Sequence, residues 1–203
     1  MIKPILFNTE MVRAILDGRK TVTRRVVKLK YSNTHLEMRT DKYGTRLIEI
    51  ENEIPGVSRV KNPDGTITLK VRAFIDRVPP YRLGDILYVR ETWAAWSRTM
   101  GTPPALYYKA DGNAPDDIRW HPSILMPREA ARIFLRVTDV RVERLQEIND
   151  DGVVSEGMEI GAPFDDLWDS TIKKADRTLY GWEANPWVWV ITFERISKEE
   201  AGL

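Results

Sequence analysis

Lys20 and Thr23 stand three residues apart inside GRKTVTRR, residues 18–25, where four cations and two hydroxyls fall within eight positions. A lysine beside threonine at the entrance of a strand places a charge, a proton carrier and a hydroxyl together. Arg19, Arg24 and Arg25 surround that pair with positive charge suited to phosphate, and Gly18 lets a ligand come close to the backbone. The same residues also read as a solvated basic strand that binds nothing. Further along, a mostly apolar strand ends in Arg90 and Glu91, either delivering them to a rim or pairing them with neighbours. Trp93 follows at once, and the loop over 118–128 sets Trp120 beside Arg128. Those tryptophans are suited to stacking on bases and those arginines to holding phosphate, while Glu91 is a second carboxylate for the same cleft.

Positioning these groups falls to short elements. Thr9, Glu10, Met11, Val12, Ile15 and Leu16 give a cap, an acidic first turn and one apolar stripe, so the spacing predicts a short amphipathic helix that Gly18 stops. Thr21, Val22, Thr23, Val26 and Val27 then read as a strand. On a regular strand Lys20 and Thr23 would face opposite sides, so the lysine must sit in the turn or the strand must bulge. Alternation predicts a strand over 86–91 and a longer one over 130–144, broken near Thr138 and Asp139, with one buried and one cationic face. Asn149 or Asp150 caps a helix that runs to about Glu156 and ends at Gly157. Residues 164–175 read as a third helix, its Trp168 in the core. WVWVITFERI, apolar on both parities, belongs in the middle of a sheet.

Two stretches stand apart. Residues 28–80 are polar, with a turn at Tyr43-Gly44 and a hairpin candidate over 61–71, and read as an insertion forming a flap. Residues 97–127 hold five prolines and two glycines, so they form a long loop with at most one short strand near Leu106. The order of elements predicts an α+β fold with a mixed, barrel-like sheet in a single domain over 1–203.

Composition narrows the function. With 203 residues, 42% of them hydrophobic, one well-buried core is affordable and no second domain is needed. The net charge of +1 means that any attraction for nucleic acid must come from a local patch. There is no cysteine, and His35 and His121 lie far apart, so zinc chemistry is not expected, though a carboxylate-held magnesium stays open. With neither an apolar signal core nor a run long enough to span a bilayer, the expectation is a cytoplasmic chain with no membrane partner.

GRKTVTRR after a short helix, GDILYVRE, the strand holding Thr138-Asp139-Val140, LQEINDDGVVSEGM and the terminal WVWVITFERI together resemble the ASCH domain family. The likeness covers about residues 5–27, 83–93 and 133–196, leaving both insertions uncovered, and is nearest to the longer phage- and prophage-encoded members. It implies a PUA-like mixed β-barrel with short flanking helices, and binding of RNA, single-stranded nucleic acid or a modified nucleoside. In some bacterial members it also implies metal-independent hydrolysis of N4-acetylcytidine by a lysine, a threonine and a glutamate, which by motif position match Lys20, Thr23 and Glu156. No cofactor is implied. That chemistry agrees with first principles: a lysine desolvated among cations can take the proton of a threonine hydroxyl, and a glutamate can protonate the leaving amine. Ribonuclease action on the same fold, and a phage accessory role in the host cytoplasm with an unknown protein partner, are the competing expectations.

Overall fold

The computed structural model describes residues 1–42, 44–51, 59–61, 63–65, 67–69, 74–97 and 104–203. In chain order the elements are β1 (Ile2–Leu6), α1 (Thr9–Leu16), β2 (Val22–Val26), β3 (Thr34–Asp41), β4 (Gly44–Glu51), β5 (Arg59–Lys61), β6 (Ile67–Leu69) and β7 (Phe74–Asp76). After them come β8 (Ile86–Arg90), β9 (Trp93–Trp96), β10 (Ala105–Tyr108), β11 (Phe134–Arg144), α2 (Asp150–Ser155), α3 (Phe164–Thr171), α4 (Arg177–Tyr180) and β12 (Trp187–Ile196). The fold is thus α+β and rich in strand. The chain divides into two compact units, 1–25 with 81–203, and 26–80.

The first unit is built on a five-stranded sheet of order β1-β8-β11-β12-β2. β1 runs parallel to β8, while β8, β11 and β12 pair antiparallel, so the sheet is mixed. Among the described residues its ladders stay open, with β1 and β2 as the two edges, and do not form the closed barrel the sequence suggested. β12 lies inside the sheet, where its two-sided apolar pattern can be covered on both faces. Ile5, Val12, Ile15, Leu87, Val89, Leu135, Val137, Ile191 and Phe193 form the main core, each burial worth about 1.5–3 kcal/mol for a large side chain.

β11 departs from its expected pattern. Phe134 alternates with Arg132 and Arg136, yet it is buried rather than on a cationic face, because a second core of Met126, Ala130, Ala131, Ile196 and Ala201 covers that side. The predicted break appears as a register shift between Val137 and Asp139. α3 is shorter than expected: Ser170 and Thr171 hydroxyls donate to the Leu167 and Trp168 carbonyls, and the helix stops at Thr171 before a 3-10 turn over Lys174–Asp176. Trp168 is buried against Phe164.

The second unit holds the antiparallel sheet β3-β4-β7 and the short pair β5-β6. The Tyr43-Gly44 turn and the full 61–71 hairpin include residues outside those described; of the latter, β5, which ends at Lys61, and β6 pair antiparallel. Between the buried Leu47, Ile48 and Ile50, Glu49 is only 1% exposed. Its carboxylate accepts from the Lys30 and Tyr31 N–H groups and the Thr34 hydroxyl, with Arg77 at 3.2 Å. No helix among the described residues is long and apolar enough to cross a membrane.

Candidate functional site

Asn8 caps α1 by accepting from the Met11 N–H, and the helix ends at Gly18, whose φ of +76° turns the chain back so that the Arg19 and Lys20 N–H groups both donate to the Ala14 carbonyl. Lys20 therefore precedes β2 and lies in an isolated bridge opposite Glu156. Glu156 in turn closes α2, which Asn149 caps at its other end by accepting from the Gly152 N–H. Two helix ends thus meet. Gly157 sits where they touch, with φ +92° and with Ala14 Cβ only 2.7 Å from where a side chain would start.

The Glu156 carboxylate is gripped from two sides. Lys20 Nζ donates to Oε2 in a very short contact and also to the Glu156 carbonyl, while Oε1 accepts from the Arg24 N–H at 2.8 Å and from Arg24 Nη1 at 3.3 Å. The Lys20 side chain has no solvent exposure and that of Glu156 only 5%. Burial pulls the Lys20 ammonium below its ordinary range; the attraction of Glu156 opposes this, and Arg25 and Arg24 add to it. A lysine so placed gives up its proton more readily than one in water, and its nearest acceptor is a carboxylate.

Thr23 and Arg25 share the face of β2 opposite Val22 and Arg24. Phe7 links this face to the lysine, its ring centroid 5.7 Å from Lys20 Nζ and 5.2 Å from Arg25 Cζ. Thr23 is 2% exposed, and its hydroxyl makes no hydrogen bond among the described residues. That oxygen is nevertheless not among the polar atoms cut off from solvent. Arg25 donates Nη2 to the Leu6 carbonyl at 2.8 Å and makes no close ion pair among the described residues, though it feels the charge of Glu156. Arg19, exposed, donates to the Gly157 carbonyl and pairs with Asp17. Lys20, Arg24, Arg25 and Glu156 are therefore brought together, with Arg19 at the margin; Thr23 lies on the same strand, and no hydrogen bond joins it to Lys20 or Glu156 among the described residues.

The remaining candidates lie elsewhere in the first unit, and among the described residues no hydrogen bond or ion pair joins them to Lys20, Thr23 or Glu156. Of the two places open to Glu91 in the sequence, a rim or a pairing with a neighbour, it takes the pairing. It is 1% exposed, and Arg132 donates Nε and Nη2 to its two oxygens at 2.9 and 3.1 Å. Burial raises the Glu91 carboxyl despite that partner. Arg132 also pairs with Asp111 and stacks over Tyr108 at 3.9 Å. Arg90 spends its donors on the Met126 and Ile124 carbonyls, pinning the loop rather than presenting a free guanidinium. Trp93 packs against His121 and the second core, Trp120 is half-buried, and Arg128 is exposed at the start of a 3-10 turn. Sequence reading missed Arg132, Phe7 and Glu143; only the alternation of β11 carried any signal for the last. Among the described residues no group of three or more His, Asp and Glu side chains could hold a metal ion. No family model, curated protein or solved structure matches the chain.

Proposed function

We propose that the chain binds a nucleotide-sized ligand, a modified nucleoside or an unpaired stretch of RNA, at the centre formed by Lys20, Thr23, Arg25 and Glu156. One observation carries this reading: Lys20 and Glu156, 136 positions apart, are paired in the interior, with the charge of Arg25 bearing on both and the unbonded Thr23 hydroxyl on the same face of β2 as Arg25. Burying such charges costs stability that packed hydrocarbon would not, and perturbed charged clusters of this kind concentrate at functional sites. Arg25 is the group to meet a phosphate or a base carbonyl. The pairing of Lys20 with Glu156 is compatible with what the ASCH likeness implies. A PUA-like barrel would close where Arg25 of β2 reaches the last carbonyl of β1.

The test is fluorescence anisotropy with short unpaired RNAs and competition by free nucleosides. Arg25→Ala is expected to weaken binding about tenfold or more and to reduce its salt dependence. Absence of any binding by the wild-type chain at low salt would remove the proposal.

The lowered Lys20 and the unbonded Thr23 hydroxyl favour a second reading, hydrolysis of an N-acylated cytidine. Thr23 Oγ1 would attack the acyl carbon while neutral Lys20 takes its proton; the leaving amine would draw a proton through Glu156, and water would release the acid from the threonine ester. Acetate release from N4-acetylcytidine, lost in Thr23→Val, is the expected result.

A further inference from the structure

Arg24 stands between two carboxylates. On one side it serves Glu156 Oε1 with its N–H and Nη1; on the other its Nε and Nη2 both donate to Glu143 Oε1, at 3.0 and 2.8 Å. Its side chain is 3% exposed, against 17% for Glu143. Space has been cleared for it: a side chain at Gly152 would begin 3.0 Å from Arg24 Nη2. Beyond Glu143 the chain of charges continues to Arg141, at 3.3 Å from Glu143 Oε2, and to Asp139 beside the register shift of β11. The Glu156 carboxylate is thereby polarised. Oε1 is saturated by Arg24, and Oε2 is left to Lys20 alone.

We propose that Arg24, locked by Glu143, is the positioning residue of the centre: it aims Glu156 Oε2 at Lys20 and sets how firmly Lys20 holds its proton. Glu143 then governs a group it does not touch. A cation at Oε1 makes Glu156 a weaker acceptor and a weaker partner for the Lys20 ammonium, and the fork to Glu143 decides how much of Arg24's charge falls on Glu156. Other charges bear on the pair. Arg25 faces it from the same strand, Arg19 caps the Gly157 carbonyl from the turn, and Tyr81 lies near Arg25. None of these bonds to the Glu156 carboxylate, so the Arg24 arm is separable by mutation. This inference concerns the ligand centre proposed above, but its consequence can be read without a ligand.

The experiment is an NMR pH titration of the full chain carrying 13C-labelled lysine, following the ε-carbon signal that disappears in Lys20→Met. Glu143→Gln keeps the shape of the side chain but frees Arg24's charge for Glu156, and is expected to lower the Lys20 midpoint by about one pH unit. Arg24→Met removes the competing cation and is expected to raise it by a similar amount, about one unit. Should Arg24→Met fail to fold, Arg24→Lys keeps the charge and is expected to leave the midpoint nearer wild type than Glu143→Gln does. Displacements of opposite sign support the assignment. Displacements of the same sign, or none, overturn it, because a merely structural role would disturb the site alike in both. Failure to bind RNA or nucleosides would remove the ligand reading and leave this titration intact.

Discussion

Lys20 is the side chain whose cost to stability fades as pH rises. Its folded pKa lies below the ordinary 10.5, chiefly through burial, so the folded chain binds fewer protons than the unfolded one between those two values. Stability therefore rises with pH through that window, and below it the cost of the buried ammonium is present in full. The slope contributed cannot exceed about 1.4 kcal/mol per pH unit. Urea unfolding at successive pH values up to 10.5 should show the wild type gaining on Lys20→Met; parallel curves would mean that Lys20 titrates as if in water. GRKTVTRR announced this corner because charge and hydroxyl density are local properties of a sequence. Glu156 was found only through the family likeness, and Glu143 and Arg132 not at all. Each of the last two acts through a partner many positions away, such as Glu91 for Arg132, and strand alternation marks such a residue only as polar.

The elements explain which parts were legible. α1, α2 and β12 announce themselves by caps, glycines and periodicity, all encoded within a few residues. Phe134 did not, since its burial depends on a layer of Met126, Ala130 and Ala131 that the loop lays over the sheet. Phe134→Ala is accordingly expected to cost about 3–5 kcal/mol in equilibrium unfolding, a core value rather than a surface one. The join between α1 and α2 makes a sharper demand. At Gly157 a methyl group would be strained by the positive φ and would meet Ala14 Cβ at 2.7 Å and Lys20 Cβ at 3.0 Å. Gly157→Ala is expected to destabilise by about 2–5 kcal/mol. Because the added atoms push directly on Lys20, the lysine titration should move as well, which a change in stability alone would not produce.

At the scale of the whole molecule, acid bears on a buried carboxylate of the second unit. In the second unit burial would raise the Glu49 carboxyl, but the bonds from Thr34, Tyr31 and Lys30 and the charge of Arg77 hold it below the ordinary 4.5. Its contribution is complete above that value and is lost as pH falls through the lower, folded one. Protection of the Lys30 and Tyr31 N–H groups against amide exchange, taken relative to the intrinsic rate at each pH, should therefore fall below pH 4.5 in the wild type, and be low at every pH in Glu49→Ala. The first unit does not include Glu49. Its main core, its second core and the Lys20–Glu156 centre all come from residues 1–25 and 81–203. The excised ends would lie close, since the Tyr81 phenol feels the charge of Arg25. Replacing residues 26–80 by a short glycine–serine linker costs the end of β2 at Val26, and in return shortens the loop that folding must close, a small gain that grows only with the logarithm of length. The shortened chain is expected to unfold in a single cooperative transition and to keep the displaced Lys20 titration. Loss of cooperative unfolding would show that residues 26–80 are part of what holds the first unit together.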